Sequence, residues 1–187
     1  MKKQPQVTEK TRKKLINNFW NLYKDNNKIT IKNICDKAKY DRTSFYRYFD
    51  NVDDILREIE DEIINNIRND IKNKAKSNND KKILLESFYK FTDDYGEYII
   101  IFNKNGNNNF YRKFKELIKE DVFTYFNFNI NSNIKKDLVF EFGFSSLMNS
   151  FIYWYNHKNT IDLDLFVEFA NSVIMSGVDS ILKSNKI

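Results

Sequence analysis

Residues 30–56 read TIKNICDKAKYDRTSFYRYFDNVDDIL. Thr30 is a good N-cap, because its hydroxyl can accept a hydrogen bond from an orphan N–H of the first helical turn. Ile31, Ile34, Cys35 and Ala38 then fall at helical spacing and predict a short helix with those residues inward. Lys39-Tyr40 forms a turn, and Asp41 caps a third short helix over Arg42 to Phe49. Two helices this short, joined by three residues, have the spacing of a helix-turn-helix. Phe45 and Phe49 lie four apart and point into a small core, while Tyr46, Arg47 and Tyr48 face out. In such a motif the second helix enters the major groove and its N-terminal residues reach base edges. Here those are Arg42, Thr43 and Ser44, with Tyr46 and Arg47 one turn on. Arg42 has the reach for a bidentate contact to guanine. Thr30 and the tyrosine hydroxyls, Tyr48 included, are suited to phosphates, which fix register without reading sequence.

Working outward, Leu15, Phe19 and Leu22 recur at i, i+4 and i+7, with Ile16, Trp20 and Tyr23 beside them. They predict an amphipathic first helix from Glu9 to Asp25, after a frayed 1–8 and before a break at 26–28. Downstream, Asn51-Val52-Asp53-Asp54 reads close to a capping box. A long fourth helix follows to about Lys76, with Ile55, Ile59, Ile63, Ile67 and Ile71 spaced by four. After a linker at 77–80, helical patterns run over 81–95, 98–102, 110–127, 135–155 and 163–182. Gly96 is expected to interrupt the first two of these, and 103–109 reads as a loop. The expectation is an all-α chain of about nine helices, divided into a head at 1–50 and a body at 51–187.

Composition agrees with that class. The 187 residues include one Pro and four Gly, whereas strands and tight turns use more of both. One Cys and one His leave no disulfide framework and argue against a Cys- or His-rich metal centre, so no metal or cofactor is expected. No apolar run is long enough to span a membrane, and 1–14 lacks the apolar core of a signal peptide, so a cytoplasmic location is expected. Charge is unevenly placed. Residues 1–50 carry thirteen Lys/Arg against five acids, a balance of +8, and the remainder carries eighteen against twenty-one, a balance of −3. A basic head on a slightly acidic body suggests a polyanion partner for the head.

Over residues 30–56 the chain resembles the TetR/AcrR-type transcriptional regulators, a bacterial type. The resemblance is carried by Thr30, Ile34, Ala38, Phe45, Tyr46, Tyr48, Phe49 and Ile55-Leu56, and it extends over the first helix to about 50 residues. It departs in two places: Lys39 stands where the family has a turn glycine, and Val52 stands where it has a phosphate-binding lysine. Membership would imply a homodimer on a palindromic double-stranded operator, with repression relieved by a small-molecule effector. It would also imply a ligand space between the central helices, here lined by Phe88, Phe91, Tyr95, Phe102, Phe110, Phe114, Phe144 and Met148. That lining suits an apolar or aromatic effector, and the same rings also read as ordinary core.

The last two helices are apolar on more than one face, which suggests burial on two sides. Phe151, Trp154, Phe166, Ala170, Val173 and Gly177 are the expected dimer contacts there. A second reading keeps the fold but not the operator: a coregulator docking on a protein partner, motivated by Lys39 and Val52. An all-α enzyme has little support, since the chain has no Gly-rich phosphate loop and no nucleophile elbow.

Overall fold

Local capping sets where the helices begin. Thr30 Oγ1 accepts from Asn33 N–H at 3.1 Å, and Asp41 Oδ1 accepts from Ser44 N–H at 2.6 Å. The computed structural model describes residues 5–25, 29–77, 82–125, 130 and 132–183, with side chains for 8–25, 29–73, 90–124, 130, 132–170, 172, 173, 176, 177 and 180. Among these residues the secondary structure is helical, in eight segments: α1 (Pro5–Lys24), α2 (Ile31–Ala38), α3 (Arg42–Phe45), α4 (Val52–Ser77), α5 (Lys82–Lys104), α6 (Asn108–Tyr125), α7 (Asn133–Asn156) and α8 (Leu163–Lys183). None is long and apolar enough to cross a membrane. The all-α expectation holds. The expected break at 26–28 lies outside the described residues, and of the linker expected at 77–80 only Ser77, the end of α4, lies within them.

The chain divides into two compact units, Met1–Ile63 and Ile64–Ile187, and the boundary falls inside α4. In the first unit α1 packs on α2, and α2 on α3. Leu15, Phe19, Ile34, Cys35, Ala38, Phe45, Phe49, Ile55 and Ile59 are buried. These are the second-helix and aromatic positions whose spacing marked them as inward, together with their partners on α1 and α4; Ile31, also expected inward, is only half-buried. At its base Arg12 of α1 pairs with Glu58 of α4 at 2.5 Å. α1 begins at Pro5, earlier than expected, and proline suits a first helical turn because its missing N–H has no partner to lose there.

The reversal between α2 and α3 is a Schellman motif. Lys39 N–H donates to Asp36 O at 3.3 Å and Tyr40 N–H donates to Cys35 O at 3.0 Å. It requires a left-handed residue, and Lys39 supplies it at φ 58°, ψ 46°. Lys39 has positive φ alone among the described non-glycine residues. The same pair of bonds recurs after α5, from Gly106 to Asn103 O and from Asn107 to Phe102 O, with Gly106 at φ 67°.

The second unit corrects one boundary. α5 runs unbroken through Gly96, so the two expected helices on either side of it are one, and the described residues hold eight. Gly96 marks close packing instead: a Cβ there would stand 3.2 Å from Phe151 Cζ and 3.3 Å from Tyr155 Cε2. The expected loop at 103–109 contracts to 105–107, with Asn107 Oδ1 accepting from Phe110 N–H at 3.1 Å as the cap of α6. Ser132 caps α7. Between α4 and α6, Arg68 makes a two-pronged contact to buried Asp121, at 2.5 and 3.0 Å.

A left-handed residue with a Cβ costs about 1–2 kcal/mol, and glycine's freer unfolded state returns part of that. Lys39→Gly is therefore expected to raise stability by about 0.5–1 kcal/mol in urea denaturation, and Lys39→Val to lower it by at least as much.

Candidate nucleic-acid interface

α3 is shorter than the sequence suggested. Helix ends at Phe45, and residues 46–48 form a turn in which Tyr48 N–H donates to Phe45 O at 2.9 Å. Phe49 still returns to the core, its ring 5.6 Å from that of Phe45. The expected outward face is therefore split between one helical turn and the turn after it. Arg42, Thr43, Tyr46 and Arg47 are exposed, whereas Ser44, Tyr48 and Thr30 are half-buried. Tyr46 leaves 56% of its surface in solvent.

Electrostatics sharpen this surface. Lys32, Lys37, Lys39, Arg42 and Arg47 are all exposed, and none has an ion pair among the described residues. Of the nearby acids, Asp41 is engaged at its cap. On the neighbouring helices cations are matched more often: Arg12 with Glu58, Lys13 with Glu9, and Arg57 with Asp54. Lys14 lies over the Tyr40 ring at 5.2 Å, and Thr11 reaches the Tyr40 hydroxyl at 3.5 Å, so the turn is tied to α1. Cys35 is buried beside it, and burial pushes its thiol above the usual range.

α4 begins with the predicted capping box. Asn51 Oδ1 accepts from Asp54 N–H at 3.1 Å, and Asp54 Oδ2 accepts from Asn51 and Asp50 N–H at 2.9 and 2.8 Å. The Asn51 N–H bond is the main reason the Asp54 carboxyl sits below its usual range, with Arg57 adding to it. Val52 is half-buried in this first turn, and Asp53 and Asp54 make the turn acidic.

In the second unit the proposed ligand-lining residues come together. Phe91 stacks on Phe114 at 5.9 Å, Phe110 on Phe114 at 5.5 Å, and Phe102 meets Phe110 at 4.5 Å. Phe144 meets Phe114 edge-on at 5.6 Å, and Tyr95 lies 6.5 Å from Phe91. Phe91, Phe102, Phe110, Phe114 and Met148 are buried, and Tyr95 and Phe144 half-buried. The side chain of Phe88 lies outside those described. The rings are in contact with one another, so the cluster is packed core whatever else it does.

For the last two helices the structure redistributes the expected contacts. Phe151, Trp154, Phe166 and Ala170 are covered by their own chain, with Trp154 stacked on Phe166 at 5.4 Å and donating to Ile161 O at 3.0 Å. Val173 and Gly177 are exposed. The large apolar residues left in solvent are instead Ile134, Leu138, Phe142 and Tyr153 on α7, and Leu165, Phe169 and Val173 on α8. Their series, 134-138-142 and 165-169-173, is visible in the sequence as steps of four. The inward series is equally apolar, which hid it.

No family model matches the chain, and no curated protein matches it by sequence. Among solved structures it is similar to the fatty acid degradation regulator FadR from Bacillus halodurans, at TM-score 0.66 and 16% identity, over 100% of this chain and 99% of that one. The chain has the helical fold of that regulator.

Asp54 is more acidic folded than unfolded, so its contribution is present above the unfolded pKa, about 3.9, and disappears as pH falls through the lower folded value. An acid titration followed by circular dichroism is expected to show stability declining below about pH 4. Asp54→Asn should flatten that limb while lowering stability at neutral pH.

Proposed function

We propose that this chain is a homodimeric DNA-binding transcriptional regulator of the TetR/AcrR type, acting as a repressor. The carrying observation is the one-turn helix α3, docked on α2 through buried Phe45, with Arg42, Thr43, Tyr46 and Arg47 exposed and five unpaired cations between Lys32 and Arg47. That arrangement suits a major groove, where short polar residues let the backbone approach and Arg42 reads guanine. Thr30 Oγ1 accepts from Asn33 and keeps its O–H for a phosphate. Likeness in fold to FadR over the whole chain supports the same reading. The coregulator alternative rested on Lys39 and Val52 as defects. The turn at Lys39 is fully formed and hydrogen-bonded, which favours DNA binding by this chain itself.

Seven large apolar residues left in solvent on the packed pair α7 and α8 support self-association there, since large exposed apolar patches commonly mark interaction sites. Two copies would read two half-sites of a palindrome. An effector, if one binds, fits an apolar or aromatic class from the Phe-rich centre of the second unit. Its coupling to DNA affinity would be in the usual range of ~1–3 kcal/mol.

Selection from random duplex DNA is expected to recover a palindrome whose affinity falls steeply with salt. Arg42→Ala, Thr43→Ala and Tyr46→Ala together should erase sequence preference while weak non-specific binding persists; unchanged selectivity would remove α3 from the interface. In light scattering the wild type is expected as a dimer, and Phe142→Glu with Phe169→Glu as a folded monomer.

A further inference from the structure

We propose that Lys39 is a DNA-phosphate ligand, kept in a left-handed turn for the sake of its charge; this rests on the DNA-binding reading above. The chain holds its own control for this turn. Two Schellman reversals carry the same pair of hydrogen bonds, and one is made with Gly106 at φ 67°. The other is made with Lys39 at φ 58°, although glycine would serve it without strain. Strain retained at an exposed position points to a side chain with a task.

A second feature is the freedom of the side chain. Lys39 is exposed and makes no ion pair or side-chain hydrogen bond among the described residues. Beyond the general attraction of a cation to the C-terminal end of α2, which Lys37 also supplies, its charge makes no paired contact in the fold. The third is position. Lys39 stands three residues before Arg42, within the run of exposed cations that begins at Lys32. The first turn of α4 offers no cation, only Val52, Asp53 and Asp54. A lysine on a flexible stem binds phosphate as a point charge and needs no fixed fork geometry.

The test compares full-length wild type with Lys39→Gly, Lys39→Met and Lys39→Arg. Each is titrated on the selected operator and on an unrelated duplex of equal length, over a series of salt concentrations. Lys39→Gly and Lys39→Met are expected to bind both duplexes roughly three- to tenfold more weakly, with the slope of log K against log salt reduced by about 0.9. Lys39→Arg should keep wild-type affinity and slope. Thermal melts accompany the titrations, and Lys39→Gly is expected to melt no lower than wild type, so that its lost affinity is not lost folding. Wild-type slope and affinity in both Lys39→Gly and Lys39→Met overturn the assignment alone. A wild type that binds neither duplex overturns the DNA-binding reading, and this one with it.

Discussion

At Lys39 the backbone turns left-handed, and two hydrogen bonds to the end of α2 decide where α3 lies. Everything on the outer surface of the head follows from that reversal. It ends α2 just after buried Ala38, so the helix stops where its apolar contribution does. It brings Asp41 to an extended conformation, from which its carboxylate can accept from Ser44 N–H and start α3. Phe45 then drops into the core between the helices, and the polar residues on either side of it are left outside. Tyr40, held by Lys14 and Thr11, anchors the turn from the α1 side.

The second unit is organised by aromatic contact rather than by turns. A connected series of rings runs from Phe102 through Phe110, Phe114 and Phe91 to Phe151, Trp154 and Phe166, linking α5, α6, α7 and α8. Ring pairs of this kind add about 0.5–1.5 kcal/mol each beyond the area they bury. Charged pairs sit at its margin, with Lys115 on Glu141 and Lys119 on Asp137 joining α6 to α7. The centre thus supplies cohesion and the margin supplies orientation.

Features fixed by near neighbours were legible in the sequence. Thr30, Asp41 and the Asn51–Asp54 pair all cap helices as their local pattern indicates. So was the head core, where apolar residues keep to one face. Gly96 was misread because the reason for it lies some 55 residues away, in the rings of Phe151 and Tyr155. The length of α3 was overestimated because Phe45 and Phe49 keep a helical spacing across a turn that is not helix. For α7 and α8 the pattern names two apolar faces without ranking them. Only packing shows that Trp154 and Phe166 are inside and Phe142 and Phe169 outside. The exposed surface around α3 was legible as a set of residue types, but not the left-handed geometry at Lys39, since lysine is a poor sign of it.

The chain has one cysteine, and it lies in the head, beneath the turn that positions α3. Cys35 is 2% exposed, its thiol contacts the Asp41 carbonyl at 3.7 Å, and burial holds it protonated. A thiol reagent reaches it only when the packing around α2 opens, and the exposed thiolate then attacks the reagent at an ordinary rate. The folded head therefore carries a native clock for its own opening, in which the labelling rate of one native side chain measures breathing around the turn with no introduced cysteine.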